Sequence, residues 1–487
     1  MESPAASPEE LSGQARLVKI LARGHPKTPR PPRSSPIRGL SARLLATLPL
    51  LTMRETLLHA PFEVHRILTM VLAGGEGRRL GPLTAERAKP AVPFGGRYRI
   101  IDIVLSNLVN SGLTRIKIIT QYKSASLEEH IARSWRLSPM LDSYIETIPA
   151  QQRTGLSWFK GSADAVWQTQ HVIEDEKPEL VAVFGGDHVY KMDVRPMLAE
   201  HLHHEADLTV AAIPVKKHEA REFGVIEVDA EGRIIAFHEK VQDPPEMPGR
   251  PGMCLASMGN YIFGTQQLVR ALNEDAKDET SKRDFGRDIV PRMVRQGQRC
   301  FAYDFKTNHV PGEDPEGATA AYWRDIGTVD AYFEAQMDLV SVKPAFNLYN
   351  PRWPIRTGTN HDPPAKFVFR DEANARVGVA TESLVSAGCI ISGARINRSV
   401  LSNRCRINSF SSVDECVLFE NVVIGRHARI RRAIIDKDVE IPAGTEIGYD
   451  LEADRKRGWS VSDSGIVIIP KRAKLPESPG SIPPPSV

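Results

Sequence analysis

The strongest constraint on the fold is a set of aliphatic residues in the C-terminal part of the chain that recur at steps of five or six positions. The series Ile390, Ile407, Ile424 and Ile441 shows that the pattern returns every 17 residues. An α-helix would need a period of about 3.6 and one long strand a period of about 2. Three short faces per coil, each turning one aliphatic residue inward, instead predict a triangular parallel β-helix over residues 368–470. The full series is Leu384, Ile390, Ile396, Leu401, Ile407, Val413, Leu418, Ile424, Ile430, Ile435, Ile441 and Ile447.

A second stretch predicts a phosphate-binding loop. The apolar run from Ile67 to Leu72 leads into a glycine cluster, which is typical of a buried parallel strand followed by a loop. Backbone N–H groups of glycines are open to phosphate oxygens, and nearby basic residues supply the countercharge. Walker and dinucleotide motifs are excluded, because no Gly-Lys-Ser/Thr follows and Leu80 stands where a third glycine would be. A plain tight turn is the alternative for a glycine loop alone. The residues are Gly74, Gly75 and Gly77, with Arg78, Arg79, Arg87 and Lys89.

Strand and helix patterns alternate through the preceding part of the chain. Helical spacing between Ile101 and Leu108 lies between apolar runs that predict strands. We therefore expect an α/β domain over residues 66–342, built on a parallel or mixed doubly wound sheet whose ligands bind beyond the carboxyl ends of the strands. The predicted strands after the first are residues 116–120, 180–184, 208–213, 224–228 and 234–237.

Two aspartates are candidate metal ligands. One follows a predicted strand, and the other is flanked by small and aromatic residues. Asp187 comes after residues 180–184 in the run Gly-Gly-Asp-His, and Asp325 lies in Trp-Arg-Asp-Ile-Gly-Thr. Each fits an ordinary turn on its own, since Gly and Asp are turn formers. Two carboxylates combined with substrate phosphates are a usual ligand set for Mg²⁺. Together with the glycine loop they predict a magnesium site.

Glu239 and Lys240 follow the predicted strand 234–237. The carboxylate can accept hydrogen bonds from sugar hydroxyls while the ammonium meets a phosphate. An ordinary surface charge is the alternative for the lysine. The pair is a candidate contact for a sugar phosphate.

Composition excludes several classes of protein. A formal net charge of +3 over 487 residues gives no basis for nucleic-acid affinity, and no apolar run of about 18 residues could span a bilayer. The five cysteines contain no C-x-x-C pair and are odd in number, which argues against a zinc cluster and a disulfide framework. A reducing compartment fits best.

The two ends of the chain and the segment between the two predicted domains differ in composition from those domains. Between Leu11 and Arg54 there are nine Lys or Arg and no Asp or Glu, so we predict that residues 1–65 are a disordered leader. A transit peptide, which would imply a plastid, and a true start near Met53 are the alternatives. We expect residues 343–367, which are rich in proline, to be a linker, and residues 471–487 to be a disordered tail.

Several motifs taken together resemble the bacterial glucose-1-phosphate adenylyltransferases, also called ADP-glucose pyrophosphorylases. The resemblance covers about residues 66–470. It implies a Rossmann-like nucleotidyltransferase domain with a mixed, mostly parallel sheet, followed by a left-handed parallel β-helix. It also implies that ATP and glucose 1-phosphate are converted to ADP-glucose and pyrophosphate with Mg²⁺, for glycogen or starch synthesis. The motifs are Leu72-Ala-Gly-Gly-Glu-Gly-Arg-Arg-Leu80, Arg87-Ala-Lys-Pro-Ala-Val92, Phe94-Gly-Gly96, Gly185-Gly-Asp-His188, Ala256-Ser-Met-Gly259 and Tyr322-Trp-Arg-Asp-Ile-Gly-Thr328.

The resemblance also implies roles for individual residues. Catalytic roles fall on Arg79, Lys89 and Asp187; nucleotide binding on Gly74, Gly75, Gly77, Gln121 and Gly161; glucose 1-phosphate binding on Phe159, Gly224, Glu239, Lys240 and Ser257; and metal binding on Asp187 and Asp325.

The chain departs from the family pattern at three positions. Val241 stands where a proline usually follows the Glu-Lys pair, and Phe159 replaces a tyrosine expected near the sugar phosphate. Glu86 stands where the enteric pattern has a lysine linked to a sugar-phosphate activator. That particular activator is therefore in doubt.

Regulation and assembly are further implications of the resemblance. The family pattern implies a cytoplasmic homotetramer with phosphorylated or keto-acid effectors and with no nucleic-acid or membrane partner. The β-helix arginines form a dense basic set with no paired acids next to them in the sequence, and a solvated charged face is the alternative reading. The effector residues implied are Arg99, Arg404, Arg426, Arg429 and Arg431.

Two rival functions remain. The first is a sugar-1-phosphate nucleotidylyltransferase that uses UTP, dTTP or GTP. The second is a non-catalytic regulatory subunit of the same fold, which should have lost the metal carboxylates or the lysines. Asp187, Asp325, Lys89 and Lys240 are all present, which favours an enzyme.

Removal of residues 1–52 should leave both activity and thermal stability unchanged. A Pro/Arg-rich segment without acids contributes no buried area to the fold. Melting temperatures of the full and shortened chains test this, and a large drop in the shortened chain would show that the leader packs on the catalytic domain.

Overall fold

The structure, a computed structural model, describes residues 66–151, 158–314, 321–359 and 361–475. The predicted leader and residues 476–487 of the predicted tail lie outside the described residues. Within the described part of the chain, no helix is both long and apolar enough to cross a membrane.

The first domain is built on a nine-stranded mixed sheet. Its central strand β1 is buried on both faces, which explains why the sequence is apolar without alternation. The α/β class and the mixed sheet are confirmed. The strands are β1 (Ile67–Leu72), β2 (Arg115–Thr120), β3 (Tyr144–Pro149), β4 (Leu180–Gly185), β5 (His188–Tyr190), β6 (Leu208–Lys216), β7 (Gly224–Val228), β8 (Ile234–Glu239), β9 (Met253–Gly264), β10 (Cys300–Asp304) and β11 (Trp323–Asp325), of which β5 and β11 form a separate ribbon.

The order across the large sheet is β8-β7-β9-β4-β1-β2-β3, with β6 bonded to β9 and β10 bonded to β6. Strands β4, β1, β2 and β3 are parallel, so their carboxyl ends meet at one edge. Strand β9 runs antiparallel to β4, β6 and β7. Loops that leave β1, β2 and β4 therefore lie side by side.

The helices of the first domain cover the sheet and complete its core, and one more helix, α10, lies in the C-terminal part of the chain. Helix α1 follows the glycine loop, and Asp102 in its first turn accepts a hydrogen bond from the backbone N–H of Arg99 at 2.9 Å, which caps the helix. The helices are α1 (Ile100–Asn110), α2 (Ala125–Ser134), α3 (Ser162–Gln168), α4 (Gln170–Glu176), α5 (Val194–His203), α6 (Lys217–Ala220), α7 (Thr265–Asp275), α8 (Val290–Arg295), α9 (Val329–Leu339) and α10 (Leu451–Lys456).

Short elements complete the first domain. They are 3₁₀ turns at Arg78–Thr84, Lys89–Ala91, Pro139–Leu141 and Phe305–Thr307, a π-helical turn at Phe285–Ile289, and a small ribbon of Pro93–Phe94 with Tyr98–Arg99.

The segment we predicted as a linker packs against the first domain. Trp353 is only 2% exposed, and its indole N–H donates to Asn107 Oδ1 at 3.0 Å. The backbone N–H of Arg356 donates to Ser106 Oγ at 2.8 Å. Both acceptors lie on α1, so this segment is held to the helix that follows the glycine loop.

The second domain is a parallel β-helix, as predicted. Its coils stack so that Ile407, Ile424 and Ile441 lie above one another in the interior. The strands are Lys366–Val368, Arg370–Asp371, Arg376–Val377, Val379–Thr381, Leu384–Val385, Ile390–Ser392, Arg395–Asn397, Val400–Leu401, Arg406–Ile407, Ser412–Leu418, Val423–Ile424, Arg429–Ile435, Glu440–Ile441, Glu446–Ile447, Ser460–Val461 and Val467–Ile469.

The first coil differs from our expectation by one residue. Ile391, not Ile390, pairs with Ile407, and Val385, not Leu384, pairs with Leu401. These steps are 16 residues, whereas the later coils keep 17. The sequence has adjacent aliphatic residues at both places, so periodicity alone could not choose the inward one.

The end of the domain also differs from the prediction. Residues 471–475, which we placed in a disordered tail, lie against the fold, because Lys474 forms a bridge with Glu440 and Lys471 pairs with Glu86 at 3.1 Å. Residues 471–475 are therefore part of the fold.

Polar side chains on the outside of the β-helix pair between coils. The 17-residue repeat places Arg429 beside Glu446 at 2.6 Å and Asn421 beside Asp438 at 2.8 Å. Lys437 donates to Glu420 at 2.7 Å, again one coil away. Charges that are far apart in the sequence are therefore neighbours on this surface.

A buried ion pair joins the two domains. Both terminal nitrogens of Arg87 donate to Asp436 on the β-helix, at 3.0 and 2.9 Å, and both side chains are almost fully buried. Removal of either partner alone would leave a buried charge uncompensated, which typically costs about 3–5 kcal/mol.

Alanine substitutions at Ile390 and Ile391 test which of the two side chains points into the β-helix core. Ile391→Ala should lower the free energy of unfolding by about 2–5 kcal/mol, because it leaves a cavity in the β-helix core. Ile390→Ala should cost clearly less, because that side chain is only half-buried. Chemical denaturation of both variants measures the difference, and equal losses would contradict the observed register.

Candidate active site

The loop after β1 turns sharply at Gly77. This residue has a φ of +65°, and a Cβ added there would lie 2.9 Å from Lys89 Cβ. A side chain is therefore excluded by both conformation and space. An added Cβ at Gly75 would meet nothing within 4 Å, so the backbone there faces open space that a ligand can enter.

Lys89 lies at the centre of the site and contacts both predicted metal ligands. Its ammonium donates to Asp187 Oδ2 and to Asp325 Oδ1, each at 3.0 Å. The ribbon of β5 and β11 produces this arrangement, because it pairs Asp325 with His188, the residue after Asp187. Residues that are between 98 and 236 positions apart in the sequence thus converge beyond the end of β4.

Electrostatics keep the side chains of Asp187 and Lys89 ionised. Burial alone would raise the pKa of Asp187, but the charges of His188 and Lys89, together with the lysine hydrogen bond, lower that pKa to about 2. Burial likewise opposes the charge on Lys89, yet the two aspartates hold its pKa above the ordinary value. The lysine serves as the counterion of a carboxylate pair.

The other basic residues of the loop have different surroundings. Arg79 is largely exposed and lies 3.7 Å from Asp325, so it faces the site. Arg78 pairs with Glu76. Arg87 is committed to Asp436, so the expectation that Arg87 supplies countercharge to a phosphate is wrong in this structure. The reason is that its side chain turns away from the loop towards the β-helix.

Gln121 and Phe159, which we assigned to nucleotide and sugar-phosphate binding, contact each other. The amide of Gln121 accepts from the backbone N–H of Phe159 at 2.7 Å and donates to its carbonyl at 3.4 Å. Gly161 is explained by packing, because an added Cβ would lie 2.3 Å from the Arg283 carbonyl oxygen. Gln121 therefore holds the segment that precedes α3.

The candidate sugar-phosphate residues gather on neighbouring strands. Strands β7 and β9 pair at Val225 and Ala256, which brings Gly224 and Ser257 close together. Ser257 Oγ accepts from the backbone N–H of Gly259 at 3.3 Å. An added Cβ at Gly224 would lie 2.7 Å from Glu239 Oε2, so the glycine leaves room for that carboxylate.

Glu239 and Lys240 differ in exposure. Burial and the nearby charge of Asp284 raise the pKa of Glu239, and Lys240 only partly opposes this effect. Lys240 has a φ of +51°, its side chain is 64% exposed, and its ammonium lies 3.8 Å from Glu239. The ammonium is therefore accessible to an anion.

Sequence reasoning missed an aromatic cluster beside the carboxylates. The ring of Trp323 lies 5.4 Å from that of His188 and 5.2 Å from that of Phe223, centroid to centroid. Trp323 and Phe223 flank residues that we singled out, but no pattern in the sequence indicated that β11 pairs with β5. Another close approach was also missed: an added Cβ at Gly327 would lie 2.8 Å from the Arg79 guanidinium.

The candidate effector arginines do not form one cluster. Arg99 is half-buried in the first domain and donates to Ser126, and Arg404 pairs with Asp362 at 2.9 Å. Arg429 lies on a different face of the β-helix, where it pairs with Glu446. Arg404 and Arg429 are paired even though no acid stands next to them in the sequence, because their acids come from the linker and from the next coil.

The remaining two effector candidates are exposed. Arg426 and Arg431 have no carboxylate partner among the described residues, and the Arg426 guanidinium lies 5.5 Å from the centre of the Phe410 ring.

Alanine substitutions at two glycines of the loop test which of them needs a glycine for its backbone conformation. Gly77→Ala should lower the free energy of unfolding by about 1–3 kcal/mol, because a left-handed conformation strains any residue with a Cβ. Gly75→Ala should leave it nearly unchanged. Denaturation curves compare the two variants, and equal stability would contradict the observed turn at Gly77.

Comparison with known proteins identifies the family of this chain. The chain matches the family described as Nucleotidyl transferase over residues 68–342, and the GlmU-like, C-terminal hexapeptide family over residues 363–469. It is 58% identical to a glucose-1-phosphate adenylyltransferase of an Anaeromyxobacter species over 411 residues, which are 84% of this chain and 99% of that protein. The enzyme of the same name from Thermus thermophilus is 54% identical over 83% of this chain and 98% of its own length. The chain therefore belongs to the glucose-1-phosphate adenylyltransferase family.

Proposed function

We propose that the protein transfers the adenylyl group of ATP to glucose 1-phosphate and releases pyrophosphate, giving ADP-glucose. The observation that carries this proposal is the convergence of Lys89, Asp187 and Asp325 beside an open glycine loop. Two anionic reactants need basic groups and a cation to offset their repulsion, and little covalent chemistry from the protein.

Each residue has a defined task in this reaction. The backbone at Gly74 and Gly75 would bind phosphate oxygens of ATP, and the largely exposed Arg79 would supply countercharge. A phosphate oxygen of glucose 1-phosphate attacks the α-phosphorus, and the bond from that phosphorus to the bridging oxygen of the β-phosphate breaks. No general base is needed, because the sugar phosphate is already ionised. The protein's contribution is alignment of the two reactants.

Mg²⁺ fits the carboxylates of the site. The described residues contain no group of three or more His, Cys, Asp or Glu side chains that could hold a metal. A pair of carboxylates is nevertheless sufficient when substrate phosphates complete the ligand set. Mg²⁺ held by Asp187 and Asp325 would neutralise charge on the phosphates, and Lys89 would then donate to phosphate oxygens.

The sugar-phosphate side would be formed by Lys240, Glu239 and Ser257. The exposed ammonium of Lys240 suits the phosphate, and the adjacent carboxylate of Glu239 suits sugar hydroxyls. Phe159 cannot donate the hydrogen bond that a tyrosine would supply. We therefore expect weaker sugar-phosphate binding than in relatives that have the tyrosine.

The rival functions give different outcomes in one assay. Pyrophosphate release with glucose 1-phosphate should be fastest with ATP and much slower with UTP, dTTP or GTP. A preference for another nucleotide would change the donor but keep the reaction class. No release with any nucleotide, in a folded protein, would favour a non-catalytic regulatory subunit.

We also propose that the enzyme supplies ADP-glucose for glycogen synthesis in the cytoplasm. On the basis of the family relationship, we propose further that it is a homotetramer controlled by phosphorylated or keto-acid effectors. The exposed Arg426 and Arg431 are the effector candidates that keep free donors in this structure, whereas Arg99, Arg404 and Arg429 would have to leave their present partners.

Asp187→Asn should lower turnover roughly 100-fold or more while binding of glucose 1-phosphate stays nearly intact. The physical reason is that a neutral amide would hold Mg²⁺ less well than a carboxylate does, and it is the cation that would offset the charge of the phosphates. Steady-state kinetics and direct binding of the sugar phosphate measure both quantities. A turnover near that of the unmodified enzyme would remove Asp187 from the metal site.

Lys240→Ala should mainly raise the KM for glucose 1-phosphate and leave the KM for ATP unchanged, as expected for loss of a ground-state phosphate contact. Lys216→Ala is a matched control, because it removes an exposed lysine at the end of β6, outside the proposed contacts. Equal effects of Lys240→Ala on both substrates would contradict the assignment.

A further inference from the structure

Arg79 contacts carboxylates on two sides of the candidate site. Its Nη1 atom lies 3.9 Å from Glu222 Oε2, and its Nη2 atom lies 3.7 Å from Asp325 Oδ2. Arg79 belongs to the turn that follows the glycine loop, whereas Glu222 stands shortly before β7 and Asp325 ends β11. The guanidinium therefore connects the ATP side of the proposed site with its sugar-phosphate side.

A glycine leaves room for the contact between Arg79 and Asp325. An added Cβ at Gly327 would lie 2.8 Å from Arg79 Nη2 and 2.8 Å from Asp325 Oδ2. A side chain at this position would therefore push the guanidinium away from the carboxylate. The place of Arg79 beside Asp325 thus depends on bare backbone at Gly327.

Glu222 is anchored on the sugar-phosphate side. Its backbone N–H donates to the Glu219 carbonyl at 3.2 Å, and the carbonyl of the next residue, Phe223, accepts from the backbone N–H of Lys240 at 3.1 Å. The ring of Phe223 packs on that of Trp323 in β11. The backbone at Glu222 is therefore fixed beside the residues proposed to hold the sugar phosphate, while its side chain is 72% exposed.

The two carboxylates compete with the substrates for the Arg79 guanidinium. Arg79 is proposed to supply countercharge to the phosphates of ATP, and Asp325 is proposed to hold Mg²⁺. A guanidinium that stays between Glu222 and Asp325 neutralises carboxylates and is lost to the phosphates. An interaction that exists only in the unliganded enzyme opposes ligand binding by its own free energy.

We propose that Glu222 is a positioning residue that holds Arg79 away from the phosphates until ATP binds. The inference rests on the proposed function, because it assumes that the phosphates of ATP lie at the glycine loop. When ATP binds, the guanidinium leaves Glu222 and turns to the phosphates. The contact therefore lowers the affinity for ATP, and Glu222 acts through Arg79 without touching either substrate.

Calorimetric titration of the full chain with ATP and Mg²⁺, in the absence of glucose 1-phosphate, tests this role. Glu222→Gln should tighten ATP binding about two- to fivefold, which is the size expected for loss of an exposed ion pair. Glu219→Gln is the matched control, because this exposed acid three residues earlier pairs with His218 at 3.7 Å, and it should leave ATP binding unchanged. An affinity that stays the same or falls in Glu222→Gln would overturn the proposal.

A double-mutant cycle separates a contact with Arg79 from a general effect of charge. In an Arg79→Gln background, Glu222→Gln should no longer change the affinity for ATP, because the contact that it removes is already gone. An equal gain of affinity in both backgrounds would mean that Glu222 only repels the triphosphate, and this result would also overturn the proposal.

A kinetic readout keeps the role of Glu222 distinct from the proposed function. In Glu222→Gln the KM for ATP should fall, whereas the maximal rate of pyrophosphate release should change by less than about twofold, because the side chain does not contact the reacting atoms. A large fall in the maximal rate would contradict the positioning role. No pyrophosphate release by the unmodified enzyme would instead contradict the proposed function, and the titrations with ATP would still decide the role of Glu222.

Discussion

The candidate site depends on one ammonium group held between two carboxylates. Lys89 can reach both Asp187 and Asp325 only because Gly77 leaves space against its side chain and because β5 and β11 pair beside β4. Loss of the lysine would leave two like charges side by side in a partly buried place. The glycine turn, the ribbon and the short 3₁₀ turn that begins at Lys89 are therefore parts of a single electrostatic arrangement.

That arrangement is connected to the β-helix by an ion pair that lies only two residues before Lys89 in the chain. Arg87 lies two positions before Lys89, and its guanidinium is fixed by Asp436 in the other domain. A movement of the β-helix would therefore act directly on the segment that positions the central lysine. The same junction is bordered on its other side by the segment that we predicted as a linker, which Trp353 and Arg356 anchor to α1.

Local patterns in the sequence predicted the elements well but predicted the contacts between them only in part. The run from Ile67 to Leu72 and the 17-residue series identified the central strand and the β-helix, because both depend on burial along one stretch of chain. The one-residue slip at Ile391 could not be predicted, since its neighbour Ile390 is equally apolar. The partners of Arg87 and Gln121 were missed because they follow from how distant segments pack.

The stacked polar pairs of the β-helix have a consequence for how its sequence can change. Arg429 with Glu446 and Asn421 with Asp438 tie each coil to the next at a fixed interval, so a residue deleted within a face would misalign every pair beyond it. Additional residues are accommodated where the chain leaves the stacked coils of the β-helix. Ala433 pairs with Val467, two coils' length further on, and α10 lies in the excursion between them. Related chains should therefore vary in length at such corners, and substitutions at one position should be accompanied by changes one coil away.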